Sequence, residues 1–68
     1  MSRNDFEPLM TVADLATYLS VGERKIRQHI AEETIPFVRL GGSIRFRRTD
    51  IDGWIESRTI APVTEPVA

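Results

Sequence analysis

In the run LMTVADLATYLSVGERKIRQHIAEETIPFVRLGGSIRFRRTDIDGWIE, Leu9 to Glu56, the spacing of apolar residues changes twice. It is helical as far as Ile30, alternating on either side of Gly41-Gly42, and helical again around Trp54. Each element is too short to be stable alone, so two helices, a hairpin and a third helix must share one small core. A 68-residue chain has room for only one, since such a chain buries roughly 60% of its unfolded surface.

Thr11 precedes the first helical stripe, Val12, Leu15, Ala16 and Leu19, with Tyr18 at its edge. Its hydroxyl can cap the open amides, and Asp14, three residues on, is a shorter version of the capping-box acid. Ser20-Val21-Gly22 then breaks the helix over a length that suits the tight turn of a helix pair. Gly22 is the expected cap of the second helix, about Glu23 to Glu32. That helix turns Ile26 and Ile30 inward, with His29 at the margin, and leaves Arg24, Lys25, Arg27 and Gln28 outside.

Pro36 ends the helical region, and strands are expected at Phe37 to Leu40 and Ile44 to Arg47. A loop of Gly41-Gly42-Ser43 would pair Leu40 with Ile44 and Val38 with Phe46, placing all four on the core face. It would also set Arg39 opposite Arg45, a repulsion that a backbone phosphate would relieve. The last helix is expected to open at Thr49, with Asp50 and Asp52 in its first turn and Ile51, Trp54 and Ile55 facing inward. The expected core is Leu15, Leu19, Ile26, Ile30, Val38, Leu40, Ile44, Phe46, Ile51, Trp54 and Ile55. The order predicts a mainly α fold with a small β-hairpin: a winged helix-turn-helix, monomeric in isolation because its apolar residues are consumed.

From Arg24 to Arg48 seven basic residues stand against two acidic ones, a local +5, while the rest holds two basic against eight acidic, −6. The net −1 and the pI of 5.7 therefore hide a basic stripe, and counterion release depends on the phosphates that stripe neutralises. With no cysteine there is neither disulfide nor thiolate metal site, and the single His29 cannot complete a zinc shell. His29 reads as a helix residue half covered by the hairpin or touching a phosphate. Gly41-Gly42 reads as a turn, because no P-loop lysine follows, and Trp54 and Phe46 read as core. No nucleophile and base stand at a readable spacing, so no enzymatic activity and no cofactor are expected. Met1 to Pro8 is polar and acidic, unlike a signal peptide, and no apolar run approaches the ~18 residues of a membrane span.

The segments YLSVGERKIRQHI and IPFVRLGGSIRFRRTDIDGWI resemble the excisionase-family DNA-binding domain, a small winged helix related to the DNA-binding end of MerR-type regulators. The resemblance spans roughly Leu9 to Glu56 and rests on the helix pair, Ile35-Pro36, Gly41-Gly42, Arg45, Asp50 and Trp54. It implies that the second helix enters the major groove, with Glu23, Arg24, Lys25, Arg27 and Gln28 as its DNA-binding residues. It implies a wing on the neighbouring minor groove or backbone, with Arg39, Gly42, Ser43, Arg45 and Arg47. Arginine forks onto guanine O6/N7, and Gln28 can read adenine N6/N7. The chain departs from these relatives where the recognition helix begins, with Gly22 and Glu23 in place of serine and arginine. Gly caps within a few tenths of a kcal/mol of Ser. Glu23 would repel phosphate unless it accepts a hydrogen bond from cytosine N4.

The resemblance implies a phage or prophage excisionase, a DNA-bending recombination directionality factor in the bacterial cytoplasm, at the nucleoid. Its partners would be double-stranded attachment-site DNA, an integrase and copies of itself on DNA, with no membrane. A small transcriptional regulator would use the same surface, and a protein-interaction adaptor would turn the basic stripe to an acidic partner. Residues 1–8 are expected as a flexible arm, 9–58 as the DNA-binding domain and 59–68 as a flexible tail. Ile60, Val63 and Val67 make that tail either plain disorder or a partner segment.

Overall fold

The computed structural model describes residues 8–61, so most of the expected arm and residues 62–68 of the expected tail lie outside the described residues. Three helices and one antiparallel hairpin follow in the order α1 (Val12–Leu19), α2 (Glu23–Glu32), β1 (Val38–Leu40), β2 (Ser43–Arg45) and α3 (Arg48–Arg58). The fold is a mainly α winged helix-turn-helix.

α1 begins with the reciprocal cap that its spacing predicts. The Asp14 amide donates to Thr11 Oγ1 at 3.0 Å, and the Thr11 amide donates to the Asp14 carboxylate at 3.1 Å. Such a cap stabilises a helix by about 1 kcal/mol. α1 ends at Ser20, φ 58°, where the Val21 amide donates to the Ala16 carbonyl at 3.0 Å. α2, capped by Gly22 as expected, ends the same way: Glu33 has φ 56° and the Thr34 amide donates to the His29 carbonyl at 2.9 Å. Both closures use a left-handed residue that is neither glycine nor asparagine, a strain of roughly 1 kcal/mol each. The turn between the helices is thereby held by backbone bonds rather than by composition.

The core takes one large side chain from each helix and one from the chain after β2. Leu15, Ile26, Ile51 and Phe46 are fully buried, with Ala16 and Ile35 beside them. Burial of each large one contributes roughly 2 kcal/mol. Met10, Val12, Leu19, Ile30, Phe37, Ile44 and Trp54 pack around this centre. Three members of the expected core are not in it. Leu40 is 53% exposed, Ile55 is exposed, and half-buried Val38 lies outside the cluster. Ile35, Phe37 and Met10 take their place.

The wing explains the exchange. Its pairing is Val38 with Arg45, Arg39 with Ile44 and Leu40 with Ser43, which leaves a two-residue turn, Gly41-Gly42, not the expected three-residue loop. Gly41 has φ +61° and Gly42 is not positive, the sign pattern of a type II′ turn, whose twist matches that of the strands. Alternation then puts Ile44 and Phe46 on the core face and turns Val38 and Leu40 to the other side. This register also removes the expected clash, since Arg39 and Arg45 are no longer opposite each other. A tight turn and a Phe46 without exposure outweigh one solvated leucine.

Phe46 is fixed further by a bridge no local pattern announces. The Met10 amide donates to the Phe46 carbonyl at 2.8 Å, and the Phe46 amide returns the bond at 2.9 Å. The start of α1 is therefore tied beside the outer edge of β2. The cap of α3 falls two residues earlier than the expected Thr49, at Arg47, whose side chain makes no capping bond; Thr49 is inside the helix. Arg47 has extended backbone, φ −90° and ψ 132°, and leads directly from the bridge into the helix. Asp50 is in the first turn as expected, but Asp52 accepts the Tyr18 hydroxyl at 2.6 Å and links α3 to α1.

Candidate nucleic-acid interface

At 3.6 residues per turn, with Ile26 and Ile30 inward, the most outward positions of α2 are Arg24 and Gln28. Both are exposed, and Gln28 donates to Glu32 at 3.3 Å. Glu23 and Arg27 lie on the flank that faces the wing, joined by an ion pair of 2.9 Å. Lys25 lies on the opposite flank, beside Leu19, Val21 and Trp54.

Between α2 and the wing runs an open groove of about 530 Å³. Glu23, Arg27 and Ile30 line it from α2, Gly42, Ser43, Ile44 and Arg45 from the wing, and Thr11, Val12 and Ala13 from the start of α1. Arg45 is half buried there and steadied by a bond from Nη1 to the Ile44 carbonyl at 2.8 Å. Five of the sequence-predicted residues are thus brought together: Glu23, Arg27, Gly42, Ser43 and Arg45. Arg39 is elsewhere, with its guanidinium 5.5 Å from the centre of the Phe37 ring. Arg47, named as a wing residue, precedes α3 and pairs with Asp50 at 3.4 Å. The first turn of α1 is the part of the groove that sequence reasoning missed, because the Met10–Phe46 bridge that brings it there spans 36 positions.

The end of α2 is braced on the far side. Trp54 Nε1 donates to the Thr34 carbonyl at 2.7 Å, and Arg58 donates to the same oxygen at 3.3 Å while lying 4.6 Å over the indole ring. His29 meets Trp54 edge-on at 5.3 Å, and its Nδ1 is 2.7 Å from the Thr34 hydroxyl. The expectation that the hairpin covers His29 is therefore corrected: α3 covers it, through Trp54. An aromatic edge contact and a bond to a carbonyl together contribute of order 1–2 kcal/mol. This brace fixes the direction of α2 and leaves its basic face outside.

A helix pair with a tight turn, a basic outward helix and a wing across a groove is on the page, and a model of the helix-turn-helix domain matches residues 9–59. The chain belongs to the helix-turn-helix domain family. This is a DNA-binding family. Comparison with curated proteins and with solved structures gave no match. In the family's frame α1 and α2 are the helix pair, Ser20 to Gly22 the turn and α2 the second helix, so the groove above lies beside the element that a helix-turn-helix presents to DNA. Among the described residues no three His, Cys, Asp or Glu side chains gather as a metal site, and no helix is long and apolar enough to cross a membrane.

Proposed function

We propose that this helix-turn-helix domain protein is an excisionase: it binds and bends attachment-site DNA and biases a phage integrase toward excision, acting by binding and not by catalysis. The observation that carries the DNA-binding part is the shared groove, where Arg27 from α2 and Arg45 from the wing stand on two sides of one open channel. Two elements of independent origin each place an arginine at a space a duplex edge can enter, the one on α2 paired with Glu23 of its own helix. The resemblance of YLSVGERKIRQHI and IPFVRLGGSIRFRRTDIDGWI to excisionases supports the finer reading.

In this reading Arg24 and Gln28 meet base edges in the major groove, and Arg45, with the amides of Gly42 and Ser43, grips the backbone. Each domain holds a short site weakly, and several copies side by side bend the duplex at a cost of order 1–6 kcal/mol, offset by cumulative phosphate contacts. Copies assemble on DNA, and an integrase meets that array.

Gel-shift titration on attachment-site fragments, with and without integrase, tests both levels. Binding should weaken steeply with salt, with a slope near −0.9 per phosphate contact in log K against log salt. A flat dependence, or no binding at low salt, overturns the DNA reading. Salt-dependent binding without bending, or without any response to integrase, leaves a helix-turn-helix DNA binder and removes the excisionase.

A further inference from the structure

We infer that Glu23 and Arg27 act as one preassembled reader of a single G·C base pair, a proposal that rests on the DNA-binding reading above. Their bridging atoms, an Arg27 Nη2 donor and a Glu23 Oε1 acceptor, are 2.9 Å apart. On the major-groove edge of a G·C pair the guanine O6 acceptor and the cytosine N4 donor are themselves hydrogen-bond partners, at a spacing of about 2.9 Å. Donor beside acceptor thus meets acceptor beside donor at the same separation. The second arm of the guanidinium fork reaches guanine N7.

The match has an orientation. With thymine where guanine stood, the guanidinium still meets O4, but its second arm faces the C5-methyl group and the carboxylate's other oxygen faces adenine N7. With guanine and cytosine exchanged, Arg27 meets the cytosine N4 donor and Glu23 meets the O6 acceptor. Only one of the four base pairs satisfies the whole set. Discrimination here is as much repulsion of the wrong pair as attraction of the right one.

A first-turn carboxylate suits the helix dipole and an i,i+4 ion pair adds modestly to helix stability, yet folding explains only part of the pair. It lies one helical turn apart on an exposed flank, with the side chains of Arg27 and Glu23 61% and 48% exposed, where such ion pairs contribute little to stability. A carboxylate at the opening of a helix aimed at DNA also opposes every phosphate nearby. Glu23 makes sense there as a group that keeps Arg27 from indiscriminate phosphate contact and surrenders half of that pairing when the right base edge arrives.

The test is selection from a duplex library with a randomised core, comparing the wild type with Glu23→Ala, Arg27→Ala and the double variant; melting temperatures confirm that all four fold. The wild type should fix one position as G·C. Each single variant should relax that same position by about tenfold or more, and the double variant should add little further loss. Glu23→Ala should also bind random DNA more tightly, with a salt slope steeper by about 0.9. Relaxation at two different positions, or a selected site unchanged by Glu23→Ala, overturns the single-pair reader and leaves DNA binding standing. Failure of the wild type to retain any duplex at low salt overturns the DNA reading itself.

Discussion

The two flanks of α2 are built on opposite plans. On the wing side, charged and polar groups interleaved with Val12, Ala13, Ile30 and Ile44 line an open groove of about 530 Å³, and Arg27 pairs with an exposed carboxylate on its own helix. On the α3 side, a cleft of about 230 Å³ is lined by Leu19, Val21, Lys25, Ile26, His29 and Trp54, and the polar atoms at its edge, His29 Nδ1 and Trp54 Nε1, are bonded to Thr34. One flank is left for a partner to complete; the other the protein completes itself. Substitutions on the second should therefore register in folding, and substitutions on the first in binding.

The largest effect should come from Trp54→Ala. It removes a half-buried indole, its bond to the Thr34 carbonyl, its contact with His29 and the surface on which Arg58 lies. A loss of about 3 kcal/mol is expected in urea denaturation, the lower end for a truncated tryptophan because the site is only partly buried. Trp54→Phe keeps most of the apolar area and forfeits the hydrogen bond, for a loss of about 1 kcal/mol. If Trp54→Phe instead matched Trp54→Ala, the brace would reside in the bond to Thr34 and not in the ring.

On the outward face of α2 and on the wing across the groove the expected losses are in affinity, of about 1–3 kcal/mol, with melting temperature almost unmoved. Gln28→Ala should weaken binding to the preferred site and barely change binding to random duplex, because base edges carry the sequence information. Arg45→Ala should weaken both alike and reduce the salt slope by about one. Fluorescence anisotropy on a selected site and a scrambled one separates the two. Equal behaviour of the two variants would mean that α2 and the wing do not divide the work.

How much of this was legible in the sequence follows the range of the interactions concerned. The Thr11–Asp14 box, the Gly22 start of α2 and the inward Leu15 and Ile26 are set by neighbours within one turn, and local spacing is enough to read them. The basic outward face of α2 follows from the same periodicity. The groove does not, since its third wall, the first turn of α1, arrives through the Met10–Phe46 bridge, and neither residue's spacing points to the other. The resemblance places Arg39 and Arg47 among the wing residues, and it does not say whether an arginine lies over Phe37 or pairs with Asp50. The wing register was misread for a related reason: maximising apolar residues on one face ignores how few the face can bury. Ile35, Phe37 and Met10 already fill that side of the core, leaving Leu40 for the outside.

Leu40 gives the smallest expected effect and the sharpest check of that register. In the observed pairing it stands opposite Ser43 on the outer face, 53% exposed, one residue before the turn. Leu40→Thr introduces a β-branched strand residue and removes only solvated apolar surface, so the unfolding free energy from urea denaturation should change by no more than about 0.5 kcal/mol with an unchanged m-value. Had Leu40 faced Ile44 in the core, the same change would cost roughly 2 kcal/mol or more, the penalty of a buried large-to-small substitution with a new hydroxyl. Ile44→Thr is the internal control, because Ile44 does pack against the core and should show that larger loss. A hairpin in which Leu40→Thr and Ile44→Thr were equally damaging would place both side chains inward, restore the three-residue loop, and with it the opposed Arg39 and Arg45 that only a bound phosphate would reconcile.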